Sequence, residues 1–415
     1  MLDETILEKL TERIIARIED ANTYILEEIG KTIKHIGTLT PSKARQLVQI
    51  LKYGGNYNNI VKKIAEITGK NIQEIYEIFE EIAKENYIFA KQFYDYRGVE
   101  YIPYEQNLAL QNTVRSLSNF TINQYLNISK TLGFATKDKN GNIVFTELSE
   151  MYQKVIDESI LAISQGKQTY QEQMYKTIKD LGNSGIRTID FSNGYKRRLD
   201  SSVRMNIKDG LRMLSNQLQE DLGKEFNADG VEISVHLNPA DDHDDIQGKQ
   251  FSKEEFEKFQ NGITAEDING KVYNPTKDGK KRRAISTMNC YHYIFSIVLG
   301  VSKPQYSLKE LQQIQKENQI GFEFEGKKYS MYEGTQLQRR IETEIRKTKE
   351  VQILARSSGN KELLLESQRK IRQLTMKYNE LSKISKLPTK VDRLKVDRYK
   401  KVSIKKIEEE IKSAN

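Results

Sequence analysis

The sequence predicts an α+β protein in which helices dominate. Three observations carry this expectation. Apolar residues recur at intervals of three and four through most of the chain, the period of an amphipathic helix. One short segment instead alternates with a period of two: Val231, Ile233, Val235 and Leu237 are interleaved with Glu232, Ser234 and His236. A second apolar run, Tyr293 to Leu299, is too short for a typical helix and reads as a buried strand. These features place a helical region over residues 1–180, a small mixed α+β core over 181–305, and a helical basic region over 306–415.

Taken in order, the first element is a long helix. Leu7, Leu10, Ile14, Ile18, Ala21, Ile25 and Ile29 form one stripe, and Gly30 is expected to close it. The spacing follows 3.6 rather than 3.5 residues per turn, which favours a bundle helix over a coiled coil. Thr40-Pro41 opens a second helix and Gly54-Gly55 closes it. A short helix from Tyr57 to Ile67 then ends at Gly69. Asn71 caps a longer one, with Glu74 at the capping-box position and Ile75, Ile78, Phe79 and Ile82 on its buried face. The pair reads as a tight helical hairpin. Interruptions follow at 98–103 and 138–142, the latter before the strand-like Ile143-Val144-Phe145.

The middle opens with a turn-rich stretch, Gly182 to Gly194, and a helix from Asp200 to Phe226. After the alternating strand comes a polar loop, Asn238 to Lys249, and a helix capped by Ser252 with Glu255 three residues on. A basic loop, Lys277 to Arg283, precedes the apolar run. Helices resume at Leu308 and again at Gln336. Pro388 ends the pattern, and the tail beyond it is expected to order only on binding.

Composition narrows the function class. Of 415 residues, 37% are hydrophobic and 30% charged, with a mean hydropathy of −0.67. That is polar for a single globule, yet too rich in Ile, Leu and Tyr for disorder. No apolar run is long enough to span a bilayer, so no membrane partner is expected, and the N-terminus lacks the pattern of a signal peptide. A single cysteine, Cys290, forbids an internal disulfide and fits assembly in a reducing cytoplasm. The net charge of +8 is unevenly placed. Residues 336–406 carry 21 Lys/Arg against 8 Asp/Glu, while residues 1–335 carry a net −3. Such asymmetry points to a polyanionic partner. Arg339, Arg340, Arg346, Arg369 and Arg372 are the expected phosphate contacts, without base readout.

Two constellations carry chemistry. Residues 57–82 resemble a helix-turn-helix, with Ala65, Gly69 and Ile75 at its small, turn and core positions. Between Asn71 and Ala90, however, stand five Glu and one Lys, which phosphates repel. The second constellation is His236 and His243 with Cys290 and His292, the side chains zinc prefers. These four are the candidate ligands of a structural zinc. A metal-dependent nucleic-acid enzyme using Asp241, Asp242 and His243 is the competing reading. A cysteine nucleophile at Cys290 is disfavoured, because the carboxylate-rich loop is expected to raise its pKa.

The run Gly185-Ile186-Arg187-Thr188-Ile189-Asp190-Phe191-Ser192-Asn193-Gly194-Tyr195-Lys196-Arg197-Arg198-Leu199-Asp200 resembles the phage minor capsid protein family. So do Asp229 to His236, His243 with Gln247 to Ser252, Asn289-Cys290-Tyr291-His292, and the turn Gly300-Val301-Ser302 with Pro304, Tyr306 and Leu311. The resemblance spans most of the chain and is strongest over 181–311. The family is distantly similar to the head morphogenesis proteins of Mu-like phages. It implies a structural virion component with no enzymatic activity. Such a protein is made with the portal protein and with scaffold or major capsid protein, and sits inside the capsid near the portal vertex; the basic tail adds packaged DNA as a candidate partner.

Overall fold

In the computed structural model, which describes residues 4–40, 55–138, 140–190, 194–236, 238–287, 290 and 292–413, helices are longer than their punctuation suggests. The N-terminal stripe forms α1, Glu4–Gly37, which runs through Gly30. That glycine is a packing residue: a Cβ there would lie 2.0 Å from Ser357 Oγ. Likewise α2, Gly55–Arg97, continues through Gly69, so neither the helical hairpin nor a helix-turn-helix forms over 57–82. A glycine inside a helix costs only about 1 kcal/mol relative to alanine. The buried stripe of Ile60, Ile67, Ile75, Ile78, Phe79 and Ile82 outweighs it. Asn71 is not a cap. It is buried within α2, donating to Tyr125 Oη at 3.0 Å and accepting from Arg17 at 3.3 Å. The helix expected between Thr40 and Gly54 lies outside the described residues.

The remaining elements follow in chain order. They are α3 (Leu108–Lys130), β1 (Leu132–Lys137), β2 (Ile143–Glu147), α4 (Leu148–Gln165), α5 (Lys167–Ser184), β3 (Arg187–Asp190), β4 (Tyr195–Arg198), α6 (Leu199–Glu225), β5 (Gly230–Ile233), β6 (Gln250–Ser252) and α7 (Lys253–Gln260). Four two-residue strands come next: β7 (Ala265–Glu266), β8 (Val272–Tyr273), β9 (Thr276–Lys277) and β10 (Lys280–Lys281). The chain continues with β11 (Ile294–Ile297), α8 (Leu308–Ile320), the hairpin β12 (Phe322–Phe324) and β13 (Lys327–Tyr329), α9 (Met331–Ser358), α10 (Lys361–Ser385), a 3-10 turn at Val391–Leu394 and α11 (Ile404–Lys412). The predominantly helical α+β expectation is met.

The chain divides into two compact units. One comprises Met1–Thr11, Gln73–Asn123 and Met205–Leu337. Its sheet is antiparallel with order β11-β5-β6. The middle strand β5 is buried on both faces although apolar and polar residues alternate along it, and it ends at Ile233, short of the alternation's end at Leu237. Val231, Ile233, Ile246, Phe251, Phe256, Phe259, Tyr273 and Ile285 form the core around it. Ser252 caps α7 as the sequence predicts, accepting from Glu255 N at 3.2 Å.

The other unit comprises Glu12–Ile72, Gln124–Arg204 and Gln338–Asn415. Its antiparallel sheet has the order β2-β1-β3-β4, and α4 and α5 pack beside β1. Ile14, Ile18, Ile25, Ile156, Ile178, Leu181, Leu354 and Leu381 are buried in it. Beyond Pro388 the chain packs within this unit, carrying the 3-10 turn and α11. Arg398 there reaches Asp20 at 2.7 Å and Glu27 at 3.3 Å, and Ile407 is buried. Gly182 lets α5 approach α9 closely: a Cβ would lie 2.6 Å from Val351 Cα. Gly182→Ala is therefore expected to lower stability by about 1–3 kcal/mol through overpacking, despite alanine's better helix propensity. A urea midpoint equal to or above that of the parent chain would show that the two helices can separate at no cost.

Candidate metal centre

The site belongs to the first unit and is built from two loops. The first leaves β5 and returns to β6, and its base is zipped by Gly248 N to Ile233 O at 2.9 Å and Ile233 N to Lys249 O at 3.1 Å. Gly248 closes the turn at φ +70, with Leu311 and Val235 too near for any Cβ. The second loop is basic and runs from β10 towards β11.

Opposite charges join the loops. Arg283 grips Asp242 through two hydrogen bonds, of 2.8 and 2.9 Å. Arg282 grips Asp245 through two of 2.8 Å each, and also donates to the Asp242 carbonyl at 2.7 Å. Asp244 accepts from Asn318 at 2.8 Å. The aspartates at 242, 244 and 245 thus serve internal pairing. Burial pushes the Asp242 carboxyl up, but Arg283 and His243 outweigh this and hold it at about 2.

This pairing positions the imidazoles. His243 is buried, and its Nε2 lies 2.9 Å from the Arg283 carbonyl oxygen, to which it can only donate. In the neutral ring that contact fixes the tautomer and leaves the Nδ1 lone pair facing Cys290. Cys290 Sγ lies 3.7 Å from His243 Nδ1 and 3.5 Å from His292 Nδ1. The three ligand atoms all fall within 4.8 Å of one another. His236, the fourth residue of the expected set, stands beside them rather than among them, its ring 4.4 Å from that of His292 and tilted by 55°.

The electrostatics differ from the sequence expectation. Burial raises the Cys290 thiol, but the hydrogen bond and charge of His243 outweigh it, and the net shift is downward. The loop carboxylates do not dominate because arginines neutralise them. Burial opposes the charged form of His243, yet the sulfur beside it tips the balance upward. His292 is driven well below its ordinary value by burial and by the neighbouring His236 and His243, so it is neutral.

The five arginines expected to meet phosphate are placed unequally. Arg346 is nearly buried and paired with Asp200 at 3.3 Å. Arg369 is exposed and pairs with Glu408 at 2.5 Å. Arg339 is half-buried, while Arg340 and Arg372 are exposed.

A family model described as Phage minor capsid protein 2 matches residues 2–382. The chain belongs to this family. As a phage minor capsid protein it is a structural component of the virion, in contact with other virion components. Among its described residues no helix is long and apolar enough to cross a membrane. No curated protein and no solved structure matches it.

Sequence reasoning missed one cluster of this minor capsid protein. The run Gly185 to Asp200, which carries most of the family resemblance, builds a buried charge network in the second unit. Arg198 donates to Glu350 Oε2 at 3.0 Å and to Asp200 at 3.2 Å, and also reaches Glu350 Oε1. Gly185, at φ +59, sits against the Arg198 guanidinium and the Glu350 carboxylate, where a Cβ would collide with both. The glycine, arginine and aspartate are close in sequence, but Glu350 lies at least 150 residues away. Nothing local announces it.

Proposed function

We propose that this minor capsid protein is a low-copy head component assembled at the portal vertex together with scaffold or major capsid protein. Basic groups of its C-terminal helices face the packaged DNA. The charge asymmetry carries this reading: residues 336–406 hold 21 Lys/Arg against 8 Asp/Glu. Part of that excess neutralises buried carboxylates, as Arg346 does. Arg340, Arg372, Lys383, Lys386, Lys400 and Lys401 are exposed. They suit sequence-independent phosphate contact, in which each neutralised phosphate releases counterion.

The DNA arm is tested by charge reversal. Arg340→Glu with Arg372→Glu is expected to weaken binding to random duplex DNA about tenfold or more at low salt. It is also expected to flatten the dependence on salt by about two phosphate contacts. Affinity unchanged by the reversal, or insensitive to salt in the parent chain, would refute the DNA contact. Deleting residues 336–415 is not a clean test, because Gln338–Asn415 is part of the second unit. The portal arm is tested by cross-linking intact particles and identifying the linked peptides by mass spectrometry. Links to the portal protein are expected; links confined to tail proteins would move the chain out of the head.

A further inference from the structure

We propose that His243 Nδ1, Cys290 Sγ and His292 Nδ1 bind one zinc ion, with solvent at the fourth position beside His236. The spacing fits the ion. Tetrahedral zinc holds thiolate sulfur at about 2.3 Å and imidazole nitrogen at about 2.0–2.1 Å, which places sulfur and nitrogen about 3.5 Å apart. The two sulfur–nitrogen separations here are 3.5 and 3.7 Å. The donor set, one thiolate and two neutral imidazoles, is one that zinc prefers over magnesium or calcium, which take oxygen.

Two further observations point to a ligand. His292 is 1% exposed, and its Nδ1 is turned towards Cys290 Sγ at 3.5 Å, as a ligand nitrogen would be. The orientation of His243 is also that of a ligand. Its outer nitrogen donates to the Arg283 carbonyl, and Asp242 Oδ2 lies 3.7 Å from the same atom. The arginines that grip Asp242 and Asp245 thereby hold the ligand loop rather than compete with the ion. The ion would join the loop after β5 to the segment before β11, with Cys290 and His236 on the more accessible side.

The inference stands apart from the portal and DNA reading, and its test does not touch them. The full chain, purified without chelator, is analysed for metal and then titrated with cobalt(II) after zinc removal. About one zinc per chain is expected, and a thiolate-to-cobalt charge-transfer band on the parent chain. Cys290→Ser is expected to lose the band and most of the zinc, with an unchanged far-ultraviolet circular dichroism spectrum. His236→Gln is expected to keep both band and stoichiometry. Absence of zinc together with absence of the cobalt band in the parent chain overturns the site, whether or not any variant folds. Loss of metal from His236→Gln overturns the three-ligand assignment.

Discussion

Arg198→Met is expected to lower the unfolding free energy by about 3–5 kcal/mol, the cost of leaving a buried charge without its partner. Arg198 is 7% exposed and Glu350 2%, so water cannot replace the lost contacts. Removing the guanidinium strands the Glu350 carboxylate, which keeps the Asn22 Nδ2 donor at 2.9 Å. Asn22 is itself committed, because its Oδ1 accepts from Ile186 N at 3.0 Å. Asp200 fares better, since Arg346 remains 3.3 Å away. Most of the loss should therefore come from Glu350, and Arg198→Met with Glu350→Leu should recover much of it. Urea unfolding of the single and double variants checks both statements. A single variant within about 1 kcal/mol of the parent chain would contradict the reading of this network as a buried, mutually dependent set.

Glu19→Gln is expected to stabilise the protein at pH 8 and to leave it almost unchanged at pH 5. Burial, then the negative charges of Asp200 and Glu350, push the Glu19 carboxyl up to about 8, against the partial relief given by Arg346 and Arg204. The sign follows from proton binding. Between the ordinary value of 4.5 and about 8, the folded chain holds a proton on Glu19 that the unfolded chain has released. Stability is then lost as pH rises through that window, by up to about 4 kcal/mol. Asp200, held at about 2, runs the other way but only at acid pH, so it does not mask the effect. Glutamine keeps the shape and never ionises. The measurement is the unfolding free energy of both chains at pH 5 and pH 8. The difference between them should open by about 2–4 kcal/mol at the higher pH. Parallel pH profiles would show that Glu19 titrates normally.

Much of the fold was legible because apolar spacing is a local property. The stripe from Ile14 to Ile29, the β11 segment and the Ser252 cap all follow from residues within a few positions of one another. Glycines misled where a neighbour mattered more than the backbone. Gly30 and Gly69 look like helix ends, yet one receives Ser357 and the other is carried through by a continuous buried stripe. The candidate centre was legible in its residue types but not in its geometry. Histidine and cysteine identities name possible donors. Which three converge depends on Arg282 and Arg283 gripping the aspartate loop, a pairing 37 to 41 residues apart. The charge of the C-terminal region was visible too. The pairing of Arg346 with Asp200 was not, since a carboxylate nearly 150 residues away leaves no mark in a local window.

The second unit is assembled from three separated stretches, and Arg398 near its end is bound to Asp20 and Glu27 near its beginning. On the ribosome, Lys63 can reach Asp20 early, but the first helix waits for almost the whole chain before Arg398, the last partner of Asp20 and Glu27, arrives. A product terminated before the α9 helix lacks Ile345, Leu354 and Leu381, three residues of this unit's buried core. This is a checkpoint on completeness: only a finished chain carries the guanidinium that closes the second unit onto its first helix.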